Sequence, residues 1–153
     1  MKIEEANVAE QLTPYEILGD TGIRALASAL YDVMDELPQA ADVRAMHAEH
    51  LEVIKRKLAT YLTGWMGGPP IYLAMNGTVC LTDPHEPYAI GPKERDQWLL
   101  CMHEALERID ASDELKAMLK EPLFQVADTV RNQDDSSEKP EPKPRDPNII
   151  AVG

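Results

Sequence analysis

The sequence contains few cysteines, few basic residues and no long apolar run, and each shortage argues against a class of protein. Cys80 and Cys101 are the only cysteines among 153 residues, so we expect no disulfide framework but two free thiols, one in a loop and one on a helix. No cysteines or histidines have the spacing that brings zinc ligands together locally. The sequence therefore predicts neither a disulfide-stabilised nor a zinc-stabilised domain.

Basic residues are also scarce, because Lys and Arg number 15 against 27 Asp and Glu, for a formal net charge of −12. Nucleic acids and anionic membranes bind clustered Lys and Arg, so we expect neither as a partner. No apolar run approaches the roughly 20 residues that cross a bilayer. Three of the residues 2–5 (KIEE) are charged, so we expect no apolar signal segment at the start. We expect a cytoplasmic protein whose partners are small or neutral.

Length and composition predict one folded domain followed by a disordered tail. A chain of 153 residues and 17.1 kDa fits a single domain with a core large enough to enclose a cofactor. Residues 133–152 hold four of the 12 prolines and few apolar side chains, so their burial cannot offset the entropy lost on ordering. We expect an N-terminal extension at residues 1–13, the folded domain at 14–131 and the disordered tail at 132–153.

Between these ends, apolar residues recur at three- and four-residue spacing and not at the two-residue spacing of strands, so the predicted fold class is all-α. A first short helix begins at Pro14, where Thr13 and Glu16 can form a capping box. Gly19 should end this helix. The next helix should continue to Leu37, directly before a proline.

The middle of the chain is divided by glycine and proline. A third helix places apolar residues from Leu51 to Trp65 on one face, and the glycines and prolines at 67–70 end it. Residues 76–90 contain one glycine and two prolines, which excludes a long regular helix there. We expect this part of the chain to consist mainly of loops.

Two further helices are predicted after the loop region. Pro92 begins one of them, and Ser112 caps the last. In the last helix Met118 belongs to the apolar positions that should point inward. Pro122 should force a kink or a break because proline lacks the amide hydrogen of a helix interior.

Local motifs alone identify no enzyme. No serine or cysteine lies beside a base in a nucleophile motif, and no glycine-rich loop precedes a helix to bind phosphate. A histidine such as His85, in the run Asp-Pro-His-Glu-Pro, is most often a solvated loop residue. The tyrosines are individually most often rim residues whose hydroxyls contact water.

Three longer stretches together carry a specific resemblance. They are residues 62–72 (LTGWMGGPPIY), residues 85–91 (HEPYAIG) after Gly77, and residues 94–102 (ERDQWLLCM). They resemble the group II truncated haemoglobins, and the resemblance extends from Pro14 to Val130. It implies a two-over-two helical sandwich, a shortened relative of the globin fold, that encloses a b-type haem.

The resemblance also implies the roles of individual residues. His85 corresponds to the family's proximal histidine and would be the only protein ligand of the iron. Tyr31, His47 and Trp98 correspond to the distal polar residues, whose phenol, imidazole and indole can donate hydrogen bonds to a partly negative gas ligand. The implied cofactor-binding residues are Tyr31, His47, Ile54, Lys57, Leu58, Leu81, His85, Tyr88, Ile90 and Trp98.

Individual positions refine this picture. Ile54 matches the position of the gate histidine in conventional globins, so the entrance to the pocket should be apolar. Lys57, one turn beyond, could reach a haem propionate. Leu81 matches an apolar position on the proximal side, and Tyr88 would pack on the haem edge or bond a propionate.

The stretch before the proximal histidine departs from the family pattern. The family usually carries several basic residues there, whereas residues 78–84 read TVCLTDP. An inward-pointing Asp83 would repel a propionate, so we expect Asp83 to face water. Lys57 or Arg95 would then have to pair with the propionates.

Several functions follow from these residues. The implied function is binding of dioxygen, carbon monoxide and nitric oxide. Redox chemistry of oxygen with nitric oxide or peroxide is a further option. It would need a separate reductase, because the chain has no flavin or nicotinamide motif. The alternative is a helical interaction module without haem. A third option, a redox sensor at Cys80, is opposed by the neighbouring acids, which disfavour a thiolate. The sequence leaves monomer and homodimer open.

Overall fold

Helices begin and end near the predicted residues in the computed structural model, which describes residues 12–134. No strand is present in this range, and the all-α prediction is confirmed. Residues 1–11 of the predicted extension and residues 135–153 of the predicted tail lie outside the described residues. The elements are α1 (Pro14–Glu36), a 3₁₀ turn (Pro38–Ala40), α2 (Ala41–Ala45), α3 (Glu52–Trp65), α4 (Ile71–Asn76), α5 (Thr82–His85), α6 (Pro92–Arg108) and α7 (Asp113–Thr129).

Side-chain caps fix the first and last helices at their N-termini. The Thr13 hydroxyl accepts a hydrogen bond from the Glu16 amide at 3.1 Å, and the Glu16 carboxylate accepts one from the Thr13 amide at 2.8 Å. At α7 the Ser112 hydroxyl accepts from the Leu115 amide at 3.1 Å. These contacts satisfy amides that have no partner within the helix, and they confirm both predicted caps.

Glycine and proline have different effects inside α1 and α7. Gly19 has φ 70° and ψ 175°, which interrupts α1 and confirms the predicted end of its first segment. Helix α7 continues through Pro122, so of the two predicted outcomes, a kink or a break, the break does not occur. The buried residues Leu119 and Leu123 pack against the core on both sides of the proline and hold the helix together.

Two pairs of helices form the domain. Helix α1 packs against both α3 and α6, and α6 packs against α7, so that α1 and α3 lie over α6 and α7. The inner face of α7 consists of Leu115, Leu119, Leu123 and Ala127. Met118 was predicted to point inward, but 39 % of it is exposed, because the inner face of α7 is narrower than the predicted stripe. None of the described helices is long and apolar enough to span a membrane.

The start of α1 packs against the turn that follows α3. The Tyr15 amide donates a hydrogen bond to the Met66 carbonyl at 3.0 Å. Gly67 has φ +100°, and a Cβ atom there would lie 2.9 Å from Cβ of Thr13. A Cβ on Gly68 would lie 2.6 Å from the Tyr15 ring. These glycines therefore allow the contact that holds α1 against α3.

Replacing Gly67 should destabilise the fold more than replacing another glycine of similar backbone conformation. Gly77 has φ +75° and open space around its missing Cβ, so it serves as the matched control. We expect Gly67→Ala to lower the free energy of unfolding by about 3 kcal/mol, from backbone strain plus the steric clash, and Gly77→Ala by about 1 kcal/mol from strain alone. Urea denaturation followed by circular dichroism measures both values. Equal losses would contradict the proposed contact between Gly67 and Thr13.

Candidate functional site

His85 lies in the core although it belongs to a short helix in the loop region. It is the last residue of α5 and is fully buried, and its Nδ1 lies 2.5 Å from the Leu81 carbonyl oxygen. A carbonyl oxygen can only accept, so Nδ1 carries the proton and the lone pair of the ring lies on Nε2. Histidines that bind metals have this arrangement, in which one ring nitrogen donates to a carbonyl and the other coordinates.

The segment around His85 has an apolar inner side and a polar outer side. Leu81, Tyr88 and Ile90 are buried in the core with it. Asp83 is exposed, which agrees with the expectation that it faces water. This loop segment therefore directs an imidazole into the core and keeps its acidic group away.

Tyr31 and His47 form a second polar group inside the core. Tyr31, on α1, is fully buried, and His47, just after α2, is 4 % exposed. Their rings meet edge to face with centroids 5.3 Å apart, and the His47 Nδ1 donates to the Val43 carbonyl at 2.8 Å. Burial raises the pKa of Tyr31 far above the ordinary value for a phenol, so the hydroxyl keeps its proton and remains a donor.

Trp98 supplies a further buried donor. It lies on α6 and is 1 % exposed, and its Nε1 has no hydrogen-bond partner among residues 12–134. A buried donor without an acceptor costs about 1–3 kcal/mol of stability. Such a group is expected where a ligand brings the missing acceptor.

Helix α3 contributes apolar surface and one half-buried lysine. Ile54 and Leu58 lie four residues apart on the buried face of α3, where they are 3 % and 2 % exposed. Lys57 precedes Leu58 and is half-buried. The prediction of an apolar position at Ile54 is consistent with this burial, and Lys57 lies next to the buried face.

The sequence suggested Arg95 as a partner for a haem propionate, but its side chain is engaged in other contacts. Its guanidinium forms ion pairs with Asp96 at 3.0 Å and Asp128 at 2.9 Å, and it stacks over the Phe124 ring at 4.9 Å. These contacts hold Arg95 between α6 and α7. Of the two basic residues considered for the propionates, Lys57 remains.

The sequence analysis did not identify Asn132 and Glu94 as structural neighbours of the site. The buried Glu94 accepts a hydrogen bond from the Gly91 amide at 2.8 Å and so closes the start of α6. Its spacing from Gly91 is the signal that could have revealed this cap. Asn132 hydrogen-bonds to the loop that follows His85, across a separation of 42 residues, and no local pattern indicates such a contact.

The side chains fit a haem group with one histidine ligand. Nine of the ten predicted cofactor-binding residues are buried, and Lys57 is half-buried. His85 offers a buried imidazole, the kind of group that can ligate haem iron, and Trp98 offers a donor that lacks an acceptor among the described residues. The two-over-two helical fold and this set of buried groups together define the class of the truncated, haem-binding globins.

Comparison with known proteins identifies the family. The bacterial-like globin family matches residues 13–132, and the chain belongs to this family, within the group II truncated haemoglobins. The resemblance inferred from the sequence is confirmed, and so is the two-over-two fold. Globins of this family bind haem and diatomic gases such as oxygen.

Three relatives illustrate the similarity. The group II 2-on-2 haemoglobin of Agrobacterium tumefaciens is 39 % identical, with a TM-score of 0.76 over 82 % of this chain and 98 % of its own. The group 2 truncated haemoglobin YjbI of Bacillus subtilis is 27 % identical over 82 % of this chain and 93 % of its own. A solved structure of a truncated oxygen-avid haemoglobin from Bacillus subtilis has a TM-score of 0.72 and 27 % identity, covering 79 % of this chain and all of its own.

The two cysteines should differ sharply in reactivity. Cys80 is exposed, whereas Cys101 is buried on α6, and burial raises the pKa of Cys101 to about 11. At pH 8 only about one in a thousand Cys101 thiols would be ionised. We expect a thiol reagent such as Ellman's reagent to modify one thiol rapidly in the native protein and the second only after unfolding. In Cys80→Ser the rapid phase should disappear, and rapid modification of Cys101 would contradict the packing of α6.

Proposed function

We propose that this chain holds haem b through Nε2 of His85 and binds dioxygen and other diatomic gases beside Tyr31, His47 and Trp98. The observation that carries the proposal is the buried imidazole of His85, whose Nδ1 donates to the Leu81 carbonyl. A solvated loop histidine would need neither burial nor a fixed tautomer. Membership of the group II truncated haemoglobins supports the same assignment.

The residues around His85 would hold and orient the cofactor. Haem b, when bound, would supply an iron that can bind a gas molecule. The Leu81 carbonyl fixes the orientation of the His85 ring and increases the electron density on Nε2. The buried Ile54 and Leu58 would keep water away on the apolar face of α3, and the half-buried Lys57 would pair with a propionate. This division of roles would leave the acidic Asp83 in water.

The buried donors would retain the gas ligand. The hydroxyl of Tyr31 keeps its proton because burial raises its pKa, and the Trp98 indole has no acceptor among the described residues. A neutral hydrogen bond stabilises a complex by about 1 kcal/mol net, which corresponds to about fivefold slower escape of the ligand. Several such donors would give slow release, and the Bacillus subtilis relative is described as oxygen-avid.

The same site would bind carbon monoxide and nitric oxide, since both offer a similar small ligand to the iron and the donors. Conversion of nitric oxide or peroxide would consume electrons, and the sequence has no flavin or nicotinamide motif to supply them. We therefore propose a separate reductase for any turnover.

The alternative function, a haem-free interaction module, would explain why residues 78–84 depart from the family pattern. It would not explain why the buried indole N–H of Trp98 has no acceptor among the described residues.

Replacement of His85 tests the proposed ligand. We expect His85→Ala to lose the absorption spectrum of a histidine-ligated haem, because no other imidazole of the chain is placed on α5. Added imidazole should restore that spectrum by entering the space of the missing side chain. Absorption and resonance Raman spectroscopy of the ferrous protein measure both effects.

His103→Ala is the matched control, since His103 is an exposed histidine on α6. It should leave the spectrum unchanged with or without imidazole. A His85→Ala protein with the wild-type spectrum would overturn the assignment of His85 as the iron ligand.

Replacement of Trp98 tests the proposed donor to the gas. We expect Trp98→Phe to release oxygen about fivefold faster, because the indole N–H is lost while an aromatic ring is retained. The C–O stretch of the carbon monoxide complex should move to higher frequency. Trp65→Phe, which changes the half-buried tryptophan at the end of α3, is the control. Identical oxygen release and C–O stretch in Trp98→Phe and the parent would remove Trp98 from the set of donors.

A further inference from the structure

Asn132 joins the end of α7 to the loop that follows His85. Its side-chain Oδ1 accepts a hydrogen bond from the backbone amide of Ile90 at 2.9 Å. The backbone amide of Asn132 donates to the Ile90 carbonyl at 2.8 Å. A single residue thus pairs with both backbone polar groups of Ile90. The Gln133 amide adds a second donor to the same carbonyl at 3.0 Å.

The other half of the Asn132 side chain contacts the residues nearer to His85. Its Nδ2 donates to the Tyr88 carbonyl at 2.7 Å and lies 3.4 Å from the carbonyl oxygen of His85 itself. The side-chain amide of Asn132 therefore contacts the backbone at three points between His85 and the start of α6. No aspartate or leucine could make this set of contacts, because it requires an acceptor and two donors in one short side chain.

The segment that carries His85 is short and contains a proline. Helix α5 is a single turn, and Pro87 in the loop has no amide hydrogen to donate. The Tyr88 amide donates to the His85 carbonyl at 3.0 Å, and the Glu86 amide donates to Asp83 at 3.3 Å. Contacts from other parts of the fold add to these local hydrogen bonds in orienting the loop, and Asn132 supplies several of them.

Asn132 is itself attached to the helical core. Val130, two residues before it, is buried, and Arg131 forms an ion pair with Asp128 at 2.8 Å. Asp128 also pairs with Arg95 on α6 at 2.9 Å. The end of α7 is thereby tied to the start of α6, which gives Asn132 a fixed base from which to hold the loop.

We propose that Asn132 is a positioning residue for the iron ligand: through the backbone of His85, Tyr88 and Ile90 it sets where the His85 ring stands relative to the haem iron. This inference rests on the proposed ligation of haem by His85. The role differs from simple support of the fold, because it acts on the geometry of the bond between histidine and iron. Its signature is therefore spectroscopic.

The test compares two variants of Asn132 with a matched asparagine variant, all in the full chain loaded with haem. Asn132→Leu keeps the shape of the side chain and removes every side-chain hydrogen bond, whereas Asn132→Asp keeps the acceptor for the Ile90 amide and loses the donor to Tyr88. Asn76→Leu is the control, because the Asn76 amide also donates to a backbone carbonyl, that of Tyr72 at 3.0 Å, at the end of α4.

Three quantities are measured: the iron–histidine stretching band in resonance Raman spectra of the ferrous unliganded protein, the rate of haem transfer to an excess of apomyoglobin, and the urea midpoint. We expect both Asn132 variants to shift and broaden the band. Asn132→Leu should also lose haem about tenfold faster, since several hydrogen bonds that orient the ligand are removed. Asn76→Leu should leave the band and the haem-transfer rate unchanged, whatever it does to the urea midpoint.

The results separate this inference from the function on which it rests. A band that stays at the parent position in both Asn132 variants, even with a lowered urea midpoint, overturns the positioning role and leaves His85 as the ligand. If Asn132→Leu does not retain haem, the band of Asn132→Asp decides in the same way. A parent protein without an iron–histidine band overturns both the ligation by His85 and the role of Asn132.

Discussion

The hydrogen bond from Nδ1 of His85 to the Leu81 carbonyl determines what the site can do. It places the ring proton on Nδ1 and the lone pair on Nε2, inside a core where rotation of the ring would break the bond. The short helix α5 brings the two groups together, because residues four positions apart lie on the same side of a helical turn. The surrounding helices bury this bond, and the fold therefore turns a loop histidine into a candidate metal ligand.

Burial of the Trp98 indole has an energetic cost. The indole N–H of Trp98 reduces the stability of the folded chain, since it was removed from water and has no acceptor among the described residues. A ligand that accepts hydrogen bonds would recover this free energy on binding. Proteins commonly give up some stability in this way at functional positions.

Local sequence patterns predicted the helices well because their determinants are local. Thr13 and Ser112 cap helices through contacts three residues away, and Gly19 interrupts α1 through its own backbone conformation. A kink or a break was expected at Pro122, and the helix does not break there, because tertiary packing on both sides of the proline outweighs the lost amide hydrogen.

The candidate site was predicted from the family resemblance and not from local patterns. The contacts that this prediction missed were missed for a physical reason. Periodicity alone would have left His85 as a loop histidine and Trp98 as a core residue, and the resemblance to a family drew them into one set. Asn132 could not be found in this way, because its contacts with Ile90 and Tyr88 cross more than 40 residues. The ion pair of Arg95 with Asp128 could not be predicted from the sequence either, because only the packing of α6 on α7 brings Asp128 within reach.

Titration of the full-length chain with haemin, followed by absorbance in the Soret region, tests the central claim most directly. If the buried imidazole of His85 ligates iron in this fold, absorbance will rise linearly and stop at one haem per chain, and reduction will give the spectrum of a histidine-ligated ferrous haem. A titration without a break at one equivalent, or a saturated protein whose reduced spectrum lacks a histidine ligand, would contradict the account.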